Sequence, residues 1–283
     1  MLAPAKINLD LLITGRRDDG YHLLDSIVAF TDFGDQLFAE PSDHLSLSIS
    51  GPFAAGLKPD ENNLIIKAAR LICEKVGISP NIKFNLIKNL PLASGIGGGS
   101  ADAAAALKFC IEILSIKIAK TTLNHIALEL GADVPVCLLS ETCHMQGIGE
   151  KITRLNFNKQ LHLLLMNPMV SVSTPAVFKQ YENLSGGFDQ NRSLANDQIH
   201  LPLILDILKE SRNSLSEATL NIEPEINNVL HCLSNTDDVL ITRMSGSGAT
   251  CFALYEKQES CLNAAQRMKN NKPDWWVKST KTL

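Results

Sequence analysis

Between Ala5 and Gly15 the chain alternates, with Ile7, Leu9, Leu11 and Ile13 on one side and Lys6, Asn8 and Asp10 on the other. A period of two predicts a half-buried strand that points Lys6 and Asn8 the same way. The turn Arg16-Arg17-Asp18-Asp19-Gly20 and the apolar run Leu23–Phe30 extend it into a hairpin. His44–Gly51 and Asn81–Lys88 alternate in the same manner and predict two more strands. Leu64, Ile65, Ala68, Leu71, Ile72 and Val76 recur at helical spacing between Asn62-Asn63 and Gly77, which predicts a helix capped by Asn. An alanine-rich helix from about Ser100 to Ser115 follows, then a helix Lys120–Leu130 closed by Gly131 in the left-handed conformation.

The second half predicts a buried strand at His162–Met166, helices at Leu201–Ser211, Pro224–Leu233 and Glu259–Lys269, and strands at Val239–Met244, Thr250–Tyr255 and Trp275–Thr280. Asn183–Asp197, rich in Ser, Gly, Asn and Asp, reads as a loop. There is no internal repeat or low-complexity tract. A domain boundary is expected near Arg154, to within about ten residues.

Composition narrows the function classes. The 283 residues suffice for about two domains. With 45% hydrophobic and 20% charged residues the chain reads as an ordinary folded protein. A net charge of −4 supplies no global basic field for nucleic acid or an acidic membrane. No apolar run approaches the ~20 residues that span a bilayer, and the start lacks the pattern of a secretory signal. The expected location is the cytoplasm, and the seven cysteines, without zinc-like spacing, read as free thiols.

The strongest chemical signal is Pro91-Leu92-Ala93-Ser94-Gly95-Ile96-Gly97-Gly98-Gly99-Ser100-Ala101-Asp102, which runs directly into a helix. Glycines let the backbone approach a ligand closely, and the helix start offers free N–H groups and a positive end, so an anion should bind there. No Gly-Lys-Ser/Thr follows, which excludes the Walker pattern, and helix occupies the place of a dinucleotide site's acidic residue. Gly131-Ala-Asp133-Val-Pro135 puts a carboxylate in an irregular turn, where it could face a cleft or cap the next element. Met244-Ser-Gly246-Ser-Gly248-Ala-Thr lies between two strands and, alone, reads as a hairpin turn. Asp19-Gly20-Tyr21-His22 places two rings after a turn, where core packing is the plainer reading.

Together, Pro4-Ala-Lys6-Ile-Asn8-Leu9, the Pro91–Leu107 segment and Ser245-Gly-Ser-Gly-Ala249 occur in the order of the three motifs of the GHMP small-molecule kinases, and the sequence resembles that superfamily over nearly its whole length. Gly15–His22, Gly131–Pro135 and Val172–Phe178 resemble the branch acting on a cytidine-diphosphate-linked polyol in the non-mevalonate isoprenoid route. The resemblance implies an α/β (α+β) fold of two domains. Residues 1–154 would form a ribosomal-protein-like sandwich and residues 155–283 a ferredoxin-like domain, with ATP and substrate in the cleft between them. It implies an ATP-dependent phosphotransferase with Asp133 as base and Lys6 beside it. The loop from Pro91 through Ala101 would hold the triphosphate, and Mg²⁺ would bridge the phosphates with Ser100 as a ligand. Asn63 and Lys88 would lie near the adenosine; the plainer readings are an N-cap for Asn63 and a solvated strand-end charge for Lys88. Tyr21 and Phe178 would sandwich cytosine, His22 would bond its polar edge, and Asn8 and Thr174 would contact the rest of the substrate. Nothing implies a nucleic-acid, membrane or obligate protein partner.

Three departures stand out. Ala101 replaces a serine of the usual Ser-Ser-Asp, Asn213-Ser-Leu-Ser216 stands for Asn-Asp-Leu-Glu, and the first strand begins unusually close to the terminus. The competing readings are another GHMP kinase of homoserine or mevalonate type, and a non-catalytic nucleotide or metabolite sensor on the same fold. A small acyclic alcohol offers no base to stack on, and Lys6 with Asp133 would be superfluous in a sensor.

Overall fold

Packing groups the chain into two interleaved units in a computed structural model that describes residues 1–156, 159–184, 187–194 and 201–283. The first unit comprises Met1–Lys6, Phe33–Leu92 and Gly97–Ser140; the second comprises Ile7–Asp32, Ala93–Ile96 and Glu141–Leu283. The chain thus leaves the first unit at Ile7 and returns at Phe33, so no single boundary near Arg154 separates the two.

In the first unit β1 (Leu2–Asn8) pairs with the long β3 (His22–Pro41), whose final residues Gln36–Pro41 run antiparallel to β5 (Ile82–Ile87). β4 (Ser46–Ser50) is parallel to β5, as it must be when α1 (Leu64–Val76) forms the crossover between them. Asn63 starts α1 by accepting from the Ile65 N–H at 3.0 Å, and Gly77 ends it at φ 75°. α1 packs on α2 (Gly98–Ile113), where every residue from Ala101 to Leu107 is buried; the alanines permit close helix approach on several sides. α3 (Lys120–Leu130) and α4 (Val134–Leu139) complete the unit. Gly131 follows α3 at φ 159°, ψ 152°, not in the left-handed geometry expected.

In the second unit β2 (Leu12–Arg16) pairs antiparallel with the start of β3, and β6 (Cys143–Gly147) pairs with Leu24–Val28 and with β7 (Lys151–Arg154). A separate antiparallel sheet holds β8 (His162–Asn167), β9 (Ile241–Met244), β10 (Cys251–Tyr255) and β11 (Trp276–Lys281) in the order β11-β8-β10-β9. The helices α8 (Glu225–Ser234) and α9 (Gln258–Asn271) pack on it, giving the ferredoxin-like alternation and strand order. Leu164, Met166, Val229, Leu233, Tyr255, Ala265 and Met268 lie in their shared core. α5 (Thr174–Asn183), α6 (Leu201–Glu210) and α7 (Ser216–Ile222) complete the unit.

The strand expected from Ala5 to Gly15 is instead two strands, and it is buried on both faces: Lys6 is 4%, Asn8 1% and Asp10 0% exposed. Polar residues tolerate this because each finds partners inside, as shown below. β6, β7, α5 and α7 were not expected from the pattern. Asn183 is helical, Gly187–Leu194 is irregular, and residues 185–186 and 195–197 of the expected loop lie outside the described residues. No helix among the described residues is long and apolar enough to cross a membrane.

Candidate active site

The first unit carries the glycine loop from Gly97 onward and the Lys6–Asp133 pair, while Ala93–Ile96 of the loop belong to the second unit. Gly97 occupies the cap position of α2 at φ 66°, and no side chain caps this helix start. A Cβ at Gly97 would lie 3.0 Å from Lys6 Cβ, so the loop backbone and the lysine are in close register. Lys6 Nζ is 2.7 Å from Asp133 Oδ1, with Asp133 38% exposed. Asp133 sits at the cap position of α4 but its side chain makes no capping bond there, so the carboxylate is engaged by Lys6 and otherwise presented outward. An exposed carboxylate held by a buried ammonium, next to an uncapped helix start, can accept a proton and stabilise developing negative charge. Ser100 lies half-buried in the first turn of α2.

Beneath the loop lies a buried ionic cluster. Lys88 Nζ is 2.5 Å from Asp35 Oδ2 and 2.6 Å from Asp102 Oδ2. Asp35 Oδ1 also accepts from the N–H groups of Asn89 at 2.6 Å and Leu90 at 2.9 Å. The cluster therefore ties the chain entering the glycine loop to the helix leaving it. Burial pushes Asp102 up to about 7, Lys88 opposes this, and the Asp35 charge adds to it. Burial alone would pull Lys88 down, yet the two carboxylates outweigh it and raise its pKa. Lys88 is thus no solvated strand-end charge: it is 2% exposed with its ammonium committed. The Asn63 side chain is likewise committed, as a cap and in a 3.2 Å bond to the Lys58 carbonyl.

In the second unit His22 stacks on Phe178, with ring centroids 4.9 Å apart and planes at 25°, and meets Tyr181 edge-on at 5.9 Å. Burial lowers the His22 pKa against the raising influence of Glu182, whose Oε1 lies 3.5 Å from Nε2. Tyr21 is 57% exposed on the turn beside them. Thr174 Oγ1 is 2.7 Å from Ser247 Oγ in the glycine turn that joins β9 to β10, so that segment is a hairpin turn with side-chain bonds of its own. Ser245 Oγ donates to the Gly95 carbonyl at 3.1 Å and accepts from the Asn8 N–H at 3.1 Å.

The sequence profile of the GHMP kinases N terminal domain matches residues 63–141, and that of the GHMP kinases C terminal matches residues 195–274. A 4-diphosphocytidyl-2-C-methyl-D-erythritol kinase of Paramagnetospirillum magneticum is 42% identical over 281 residues, covering 99% of this chain and 97% of its own length. The chain belongs to the 4-diphosphocytidyl-2-C-methyl-D-erythritol kinase family. A crystal structure titled 4-(cytidine 5'-diphospho)-2C-methyl-D-erythritol kinase superposes with a TM-score of 0.78 at 29% identity, covering 100% of this chain and 99% of that one. A homoserine kinase from Cytophaga hutchinsonii superposes at 0.64 with 19% identity, over 99% of this chain and 92% of its own, a likeness of fold alone.

Several residues that shape this family member's half-sites were not expected. Asn213 Nδ2 donates to the Met244 and Gly246 carbonyls, both at 2.8 Å, so the departing Asn213–Ser216 segment keeps the residue that holds the glycine turn. Ala101 is buried, where a methyl group needs no partner. Asp35, Asp102, Ser26 and Arg192 also emerge only from the structure. Asp102 follows the loop in the sequence, but its partner is 14 residues away and nothing local marks the pairing.

Proposed function

We propose that this chain transfers the γ-phosphoryl group of ATP to the 2-hydroxyl of 4-diphosphocytidyl-2-C-methyl-D-erythritol. The observation that carries the reading is the 2.7 Å Lys6–Asp133 pair in register with Gly97 at the start of α2. The backbone from Gly95 to Ser100 would hold the triphosphate through N–H groups and the helix dipole. The hydroxyl oxygen bonds the γ-phosphorus as the bond to the β,γ-bridging oxygen breaks; ADP leaves with that electron pair, and the hydroxyl proton passes to Asp133 and then to water. An alcohol and a carboxylic acid differ by roughly 12 pKa units, about 16 kcal/mol, so this proton moves late. Lys6 holds Asp133 in place through the 2.7 Å contact, while positioning and charge neutralisation supply most of the acceleration.

Mg²⁺ bound by ATP needs only one or two protein oxygens, and the Ser100 hydroxyl in the first turn of α2 would supply one. When bound, the ion neutralises phosphate charge. Among the described residues no cluster of three His, Cys, Asp or Glu offers an all-protein metal site. The commitment of the Asn63 and Lys88 side chains leaves adenosine contacts to their backbone and neighbours. For the acceptor, Tyr21 and Phe178 would sandwich cytosine if His22, stacked on Phe178 at 4.9 Å, turns to bond the polar edge of the base, and Asn8 and Thr174 would contact the polyol. ADP release measured with this alcohol, homoserine and mevalonate tests the assignment. Activity confined to the cytidyl-linked polyol is expected. Asp133→Asn should leave ATP binding near normal and lower turnover at least about a hundredfold; near-normal turnover would sink the reading.

A further inference from the structure

Asn8 is 1% exposed, and one atom of its amide, Oδ1, is buried without a hydrogen-bond partner. The surrounding hydroxyl fixes which amide atom that is. Ser26 Oγ has one proton, and it donates that proton to the Asp10 backbone carbonyl at 2.6 Å. The same oxygen, 2.8 Å from Asn8 Nδ2, must therefore accept, and only the NH₂ side of the amide can donate to it. Asp10 is itself fixed: its Oδ1 accepts from the Ile27 N–H at 2.7 Å, and Arg192 Nη1 lies 2.5 Å from its Oδ2. With the NH₂ turned to Ser26, the carbonyl oxygen is the atom left over. It is bordered by Gly246, where even an added Cβ would stand 3.5 Å away.

From this we infer that Ser26 is a positioning residue which locks the Asn8 amide so that it presents a hydrogen-bond acceptor to the ligand, and that the ligand group it selects is a hydroxyl donor of the polyol. The inference rests on the reading above that Asn8 contacts the acceptor substrate. A buried acceptor left unpaired is costly, so a ligand lacking the donor is rejected, whereas a freely turning amide would accommodate a donor or an acceptor alike. Besides the reacting 2-hydroxyl, the polyol has hydroxyls at C1 and C3. Fluorine at either position keeps a weak acceptor and removes the donor.

The test measures kcat and KM for the unmodified enzyme, Asn8→Ala, Ser26→Ala and Ser26→Thr, each with the parent alcohol and the C1- and C3-fluoro analogues. The unmodified enzyme should lose about tenfold in kcat/KM with one of the two analogues. Ser26→Ala should lose about three- to tenfold with the parent, mainly in KM, with less than about a twofold further loss on that analogue. Ser26→Thr, which keeps the hydroxyl, should recover most of it. Equal losses for Ser26→Ala with all three alcohols would show that the serine only supports the fold. Insensitivity of the unmodified enzyme to both fluorines would overturn the donor assignment without any substitution. An Asn8→Ala enzyme unchanged with the parent would instead remove the underlying reading that Asn8 touches the acceptor.

Discussion

Two buried clusters in this molecule have the same formal composition, one cation and two carboxylates, and opposite electrostatic outcomes. In the first unit Lys88 serves Asp35 and Asp102; in the second Arg192 serves Asp10 and Asp25. Asp102 is driven up to about 7 by burial, with one oxygen left bare. Asp25 is likewise shielded from solvent, though less densely surrounded by protein, and burial alone would raise it, yet hydrogen bonds from His144 and Arg192 hold it at about 2. Arg192 donates to Asp25 from Nε, Nη2 and its backbone N–H, His144 Nε2 lies 3.0 Å from Oδ1, and Gln146 donates to Oδ2 at 3.0 Å. The Lys88 ammonium spends two of its three protons on Asp35 Oδ2 and Asp102 Oδ2, and no donor is aimed at Asp102 Oδ1, whereas the guanidinium fork addresses both of its carboxylates at once. The number of donors aimed at each oxygen, more than the charge count, decides which carboxylate stays ionised.

The largest break in this comparison should come from Arg192→Leu, which takes the shared guanidinium away from two carboxylates that are each 0% exposed. The loss should be about 3–5 kcal/mol, read from urea unfolding at pH 7. Arg192→Lys should recover less than half of it, because an ammonium cannot replace the fork; full recovery would show that charge alone matters. A smaller effect is expected of Lys88→Met, about 2–3 kcal/mol at pH 7, because Asp102 can take up a proton and Asp35 retains two backbone donors. That loss should shrink at pH 5.5 and grow at pH 8, whereas the Arg192→Leu loss should change less over this range.

These clusters also show where a one-dimensional reading stops. The glycine loop running into a helix was legible as a short contiguous motif, whereas Lys6 and Asp133 took their roles from the family resemblance, and their 2.7 Å contact appears only in the structure. The helix start after Gly97 and the cap at Asn63 followed from adjacent residues. Lys88 and Asp35 are 53 positions apart, and Arg192 and Asp10 are 182 apart, so nothing near any of them announces the pairing. For the same reason the alternation from Ala5 to Gly15 misled: polar residues on every second position normally face water, but here Lys6, Asn8 and Asp10 are satisfied from distant segments. β6 and β7 escaped because Cys-His-Met-Gln-Gly and Lys-Ile-Thr-Arg are short and carry no clear apolar face. The strands of the ferredoxin-like sheet could be read because the apolar runs of β8 and β10 stand out and helical periodicity marks the helices between them.

The smallest effect is also the sharpest separation of the two clusters. An unfolded aspartate titrates near 3.9, and Asp102 titrates at about 7 in the fold. Between these values the native protein binds a proton that the unfolded chain has released, so the stability contributed at this site is present at low pH and is lost as pH rises from about 4 to about 7. Asp25, held at about 2, has the opposite sign: its contribution is present above about 4 and is lost as pH falls toward about 2. Asp102→Asn removes the titration while keeping an oxygen to accept from Lys88. Its stability relative to the unmodified protein should therefore improve by about 2 kcal/mol between pH 5 and pH 7 and level off above pH 8. Asp25→Asn should show no such drift over that interval, with all its pH dependence below about 4. Urea midpoints collected from pH 4 to pH 8 on both variants decide it. A flat difference for Asp102→Asn would mean that Lys88 satisfies both carboxylates as fully as Arg192 satisfies its own, and the contrast between ammonium and guanidinium would fail.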